Sequence, residues 1–191
     1  MLLPETCYVD RVTRRQDNLN SPGSILAFRL IHIVSGVFWV GGAIFIAMFL
    51  LPTLRSVGPA GGPVMSYLVQ VRKLPVYMMG AAILTVLSGL GLYWRDSAGF
   101  VGTWVRSGTA LVFSLGALLG LGAVGLGMGV AAPVGKRLGV LAAAVQAEGG
   151  PTADEAAEMQ RLQPRLASAS TWVAILLLLA TAAMAVARYV P

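Results

Sequence analysis

Few side chains in this chain could do chemistry, and the first apolar stretch holds most of them. His32 is the one histidine in 191 residues. It stands about 10 Å below the start of a helix opening near Ser24, at 1.5 Å per residue. Arg29, three residues earlier, shares its face, and Gly36, Trp39, Ala43 and Ala47 continue the stripe. An ionisable side chain inside a membrane is a functional hypothesis by default. The imidazole of His32 has the chemistry to bind a haem or chlorophyll-type macrocycle through one axial bond, with Arg29 near a propionate and Trp39 along the same face. That makes His32, Arg29 and Trp39 the candidate cofactor-binding residues, with haem or another tetrapyrrole as the candidate ligand. Two other readings stand beside it. Arg29 snorkels to the head groups while a neutral His32 bonds a neighbouring helix, or His32 serves a proton relay or a quinone contact. A bis-histidine haem cannot form within one chain, and a second axial ligand would have to come from a methionine, a partner or a second copy.

Other chemistries find less. Cys7 is the single cysteine, so no internal disulfide can form. The eight methionines are scattered along the sequence and the acids cluster at 148–158, so no copper or zinc set emerges. No nucleophile–base pair, phosphate loop or paired intramembrane carboxylate is present, and no catalytic residue is assigned. The apolar stretches contain no Asp or Glu, the groups on which proton-coupled carriers usually rely. The chain reads as a non-enzyme.

The elements that must hold these residues follow from composition. Hydrophobic residues make up 57% of the chain and charged ones 12%, against about 25% charged in soluble domains. Lipid must therefore be the solvent for much of the surface. The net charge is +6. Basic residues at span ends suit anionic head groups, and no basic run is interleaved with aromatics as single-strand binding needs. The expected partners are membrane lipids and other membrane protein subunits, not nucleic acid.

Four apolar stretches, about 24–51, 75–93, 107–132 and 168–187, are long enough to cross about 30 Å of hydrocarbon. Pro52 and Pro133 are expected to close the first and third. Residues 1–23 form a polar N-terminal segment, expected to be retained because neither its charge nor the run after it fits a signal peptide. Residues 24–191 form the transmembrane domain. Tyr77, Tyr93, Trp94, Trp104, Trp172 and Tyr189 fall near span ends, as an aromatic belt requires. Between spans one and two, Pro63 and the spacing of Met65, Leu68, Val69 and Arg72 predict a short interfacial helix. Glu148-Gly149-Gly150-Pro151 predicts a turn, and Thr152 with Glu155 a capping box. Pro164 interrupts the sequence that follows and predicts a kink. The expected fold is all-α: an integral membrane up-down four-helix bundle, with helices three and four extending beyond the bilayer as a hairpin.

Span three is dense in glycine, at 108, 116, 120, 122, 125, 127 and 129. Small residues let helix backbones approach where lipid supplies no hydrophobic drive. Span two offers Ala81, Thr85 and Gly89 on one face, and span four Ala180, Ala183, Met184 and Ala187. Either these faces pack the bundle, or the glycine face meets another subunit or a flat cofactor. Orientation is balanced. Arg11, Arg14, Arg15, Arg29, Arg95, Arg106 and Arg188 fall on one side, and Arg55, Arg72, Lys73, Lys136, Arg137, Arg161 and Arg165 on the other. Seven against seven leaves the positive-inside rule nothing to act on.

The run Leu30-Ile31-His32-Ile33-Val34-Ser35-Gly36-Val37-Phe38-Trp39-Val40-Gly41-Gly42 resembles the first helix of copper-resistance-D-like membrane proteins and of J-type protoporphyrinogen oxidases. Arg72-Lys73-Leu74-Pro75 and Ile83-Leu84-Thr85-Val86-Leu87-Ser88-Gly89-Leu90 are similar to features of the second family. The resemblance covers about residues 28–95. It implies a four-helix fold and haem or porphyrin contact at His32. The third helix of that pattern carries a Lys and a further His, which this span lacks, so oxidase activity is not carried over.

The expected function is a non-catalytic subunit that docks in or stabilises a larger membrane complex, with respiratory and photosynthetic assemblies among the candidates. The alternative is a haem- or porphyrin-binding membrane protein acting through His32. The expected location is a bacterial inner (cytoplasmic) membrane.

Overall fold

The computed structural model describes residues 21–100 and 103–190. Every regular element among them is helical. Backbone groups in hydrocarbon have no water to bond, and a helix satisfies them within the segment. Seven α-helices occur among the described residues: α1 Pro22–Phe45, α2 Leu51–Ser56, α3 Gly61–Ser66, α4 Leu74–Asp96, α5 Gly108–Leu126, α6 Ala132–Glu148 and α7 Ala153–Val186. All but α3, joined across short wider or tighter turns, give four helices long and apolar enough to cross a membrane: Pro22–Ser56, Leu74–Asp96, Gly108–Glu148 and Ala153–Tyr189. Each expected apolar stretch lies inside one of them. The chain is an all-helical integral membrane protein.

The first helix starts earlier than its composition suggests. Ser21 is the N-cap, its Oγ accepting from the Ser24 N–H at 3.3 Å, and Pro22 occupies the first turn. Ser21, Pro22 and Gly23 thus belong to the helix start rather than to the polar segment. Residues 1–20, with Cys7, Arg11, Arg14 and Arg15, lie outside the described residues.

The helices continue past Pro52 and Pro133, which close only the apolar stretches. Each is preceded by a π-helical turn, Ile46–Leu50 and Gly127–Ala131. A proline ring collides with the carbonyl four residues back, here that of Met48 or Gly129. Both carbonyls sit inside a π turn, where i→i+5 bonding widens the backbone. The Leu51 N–H bonds the Ile46 carbonyl, and the Ala132 N–H bonds that of Gly127. The chain passes each proline without breaking. α7 likewise runs unbroken through Pro164.

α1 packs chiefly on α4, and α5 on α7. The small faces of spans two and four are the contact surfaces. Gly36 lies against Thr85, and Gly91 against Phe28. Gly116 lies against the Ala180 carbonyl, Ala183 and Met184. All four long helices contribute to one buried cluster that includes Trp39, Ala43, Ala82, Ala123 and Leu177.

A second cluster joins Leu51, Val134, Leu138 and Leu166 beneath the α6–α7 pair. That pair turns at Gly149, whose φ of 80° suits glycine. The expected capping box is formed: Thr152 Oγ1 accepts from the Glu155 N–H at 3.3 Å, and the Glu155 carboxylate accepts from the Thr152 N–H at 2.9 Å. Arg137 grips Glu158 through two hydrogen bonds of 2.8 Å. With Arg137 about half exposed, solvent screens such a pair and it contributes little to stability. The apolar cluster therefore carries most of the hairpin's cohesion.

The helix expected between spans one and two is present as α3 and a third π turn, Tyr67–Val71. It packs against α6 rather than standing free. Val69 lies on Gly139, and the Gln70 side-chain amide donates to the Gly139 carbonyl at 3.0 Å.

Candidate functional site

His32 sits half-buried in the α1–α4 seam. Its Nδ1 lies 2.8 Å from the Thr85 carbonyl oxygen. A carbonyl only accepts, so Nδ1 carries the proton. In the neutral ring the lone pair is then on Nε2, which leaves Nε2 as the acceptor or metal-binding atom. The ring rests on Gly89, where a Cβ would fall 2.8 Å from Cε1 and 3.0 Å from Nδ1. One turn away, the Ser35 and Thr85 hydroxyls meet at 2.9 Å. Ser35 also donates to the Ile31 carbonyl and Thr85 to the Ala81 carbonyl. The seam is thus a short polar ladder linking two apolar helices, with His32 bonded to the neighbouring helix.

The other two candidates lie in different surroundings. Arg29 is exposed and makes no ion pair among the described residues. Trp39, two turns beyond His32, is 6% exposed and belongs to the four-helix cluster. One stripe of α1 therefore passes through three environments: surface, seam and core. The three residues do not converge on one point.

The helices enclose a different feature that sequence spacing does not show. A cavity of about 160 Å³ lies between the α1–α4 and α5–α7 pairs, beside the 61–71 segment. Trp39 lines it; His32 and Arg29 do not. Ser170 is the one residue with a polar side chain in the lining apart from the Trp39 ring nitrogen, and no charged residue contributes. Met65, Met78, Met79 and Met128 all contribute, so half of the eight methionines, scattered in sequence, converge in space. Methionine side chains adapt to irregular apolar shapes. All three π turns reach the cavity, through Ile46, Leu68 and Met128 among others. Such turns often occur at functional sites. The available sequence signal is a proline inside a continuous apolar run, at Pro52 and again at Pro133.

On α5 and the π turn that continues it, Gly127–Ala131, the glycines divide. Gly116 is buried against α7, whereas a Cβ at Gly120, Gly125, Gly127 or Gly129 would meet nothing within 4 Å, and at Gly122 only the tip of Leu176 at 3.9 Å. Gly122, Gly125 and Gly129 recur at spacings of three and four on the exposed side of the helix.

Among the described residues, no three His, Cys, Asp or Glu side chains gather as a metal site. These features define a helical membrane protein with an apolar cavity and an interhelical histidine. Comparison with protein-family models, characterised proteins and solved structures finds no match to the chain.

Proposed function

We propose that this protein is a non-catalytic membrane subunit that docks in a larger membrane complex through the outer face of α5. The observation that carries this reading is the run Gly122, Gly125 and Gly129, exposed and without close contact inside the chain. Each glycine costs a helix interior up to about 1 kcal/mol relative to alanine in water. Gly116 offsets that by admitting α7, and the outer three have no such internal use. Glycine on an outward face is what a second helix needs for close approach. In this reading the four spans run up and down as a bundle, in a bacterial inner membrane. The α6–α7 hairpin projects beyond the bilayer and offers a second contact. Respiratory and photosynthetic assemblies are the partners to examine. Purification in mild detergent at native abundance, followed by mass spectrometry, should recover the chain with at least one other membrane subunit. Migration as a lone monomer would overturn the proposal.

One observation favours a second reading, haem or porphyrin binding at His32. The Thr85 carbonyl holds the Nδ1 proton and leaves Nε2 available, as the second contact of a metal-ligating histidine does. The resemblance of residues 28–95 to J-type protoporphyrinogen oxidases and copper-resistance-D-like proteins points the same way. In this reading the purified protein shows a Soret band that His32→Ala removes. A colourless protein, or a band unchanged by that substitution, excludes it.

A further inference from the structure

The cavity and the basic pair beside it assign a ligand class to this protein independently of its docking role. We infer that the cavity holds part of one acyl chain of an anionic membrane phospholipid, with the phosphate engaged by Arg72 and Lys73.

The lining sets the chemistry of the buried part. Nearly all the surrounding side chains are hydrocarbon or thioether, and none is charged. A charged or strongly polar group placed there would lose hydration without compensating bonds. The volume, about 160 Å³, compares with that of an engineered apolar cavity of about 150 Å³ that takes up benzene. It accepts a few carbons of chain and is too small to enclose a porphyrin. Its shape follows α4: Leu74, Pro75, Met78 and Ala82 all contribute to one wall. Leu74 to Ala82 spans about 12 Å at 1.5 Å per residue. The lining therefore reaches from the helix end about two turns inward, a path that a linear chain can follow.

Charge at the helix end selects the head group. Arg72 and Lys73 are exposed and directly precede Leu74. Neither pairs with an acid among the described residues. Between residues 18 and 95 the sequence has no Asp or Glu at all, so nothing local neutralises them. Lys73 adopts a left-handed conformation, φ 51°, as N-cap of α4, with no side-chain cap on that end. The positive end of the helix dipole therefore adds to the two cations. Basic groups near the membrane surface attract anionic lipid.

Gly127→Leu is the direct test. Gly127 lines the cavity, and its Cβ position is open. A leucine there adds a side chain at the cavity wall from a Cβ position that meets no other atom within 4 Å. The wild-type protein is placed in nanodiscs of equal phosphatidylglycerol and phosphatidylcholine, then released and examined by native mass spectrometry. Wild type should retain one phosphatidylglycerol in preference to phosphatidylcholine. Gly127→Leu should retain at least tenfold less of either. Arg72→Gln with Lys73→Gln, both at exposed positions and so compatible with folding, should still retain a lipid but without preference between the two. Retention of no lipid by wild type would overturn the inference, as would equal retention by Gly127→Leu. So would an unchanged phosphatidylglycerol preference in the Arg72→Gln, Lys73→Gln protein. Recovery of a neutral isoprenoid in place of the phospholipid from native membranes would also overturn it.

Discussion

A Gly61→Ala chain should lose about 3 kcal/mol of stability, at the upper end of what overpacking costs. Gly61 is buried where α3 folds back on α2. An added Cβ would overlap the Leu54 carbonyl oxygen and stand 3.1 Å and 3.2 Å from the Leu54 carbonyl carbon and Cα. All three obstacles are backbone, so no rotamer change relieves them. Only movement of the α2–α3 corner would, and that corner sets the path of residues 61–71 across α6. Thermal unfolding in detergent should show a marked fall in midpoint for Gly61→Ala. Gly62→Ala is the control, because its Cβ would meet only Ala142 at an ordinary 3.7 Å. Equal midpoints for the two variants would refute this account of the corner.

The second large effect is expected at Gly89. An alanine there would press on the His32 ring, at 2.8 Å from Cε1 and 3.0 Å from Nδ1. The ring must then leave the Thr85 carbonyl. Breaking that bond while leaving a partly buried polar group unmatched costs about 1–3 kcal/mol. The effect depends on the histidine and so has a signature. In a His32→Ala background, Gly89→Ala should be close to neutral, giving a coupling energy of about 1 kcal/mol or more in a double-mutant cycle. Additive losses would mean that Gly89 acts through something other than His32.

Much of the scaffold is legible in the sequence because it rests on local or periodic signals. The four apolar stretches need only length and composition. The Thr152–Glu155 box is a four-residue pattern. Ala81, Thr85 and Gly89 mark the α1 contact, and Ala180, Ala183 and Met184 the Gly116 contact, because both faces repeat at helical spacing. Pro52 and Pro133 mark where the apolar stretches close, but a proline read locally gives no sign of the π turn that precedes it. Whether a π turn opens to admit it depends on the neighbouring helices. Met65, Met78, Met79 and Met128 carry no mutual signal, being brought together only by packing between elements. His32 and Trp39 share a stripe yet separate, because α4 alone meets the first while all four long helices meet around the second.

The docking proposal depends on the outer face of α5, and a Gly125→Leu, Gly129→Leu protein tests that face most directly. Neither Cβ would meet another atom of the chain within 4 Å, so the folded protein should melt at the wild-type midpoint. Its recovery of partner subunit in native co-purification should fall at least tenfold. A double variant that folds normally and still retains its partner at the wild-type level would contradict the assignment of this glycine face as the docking surface.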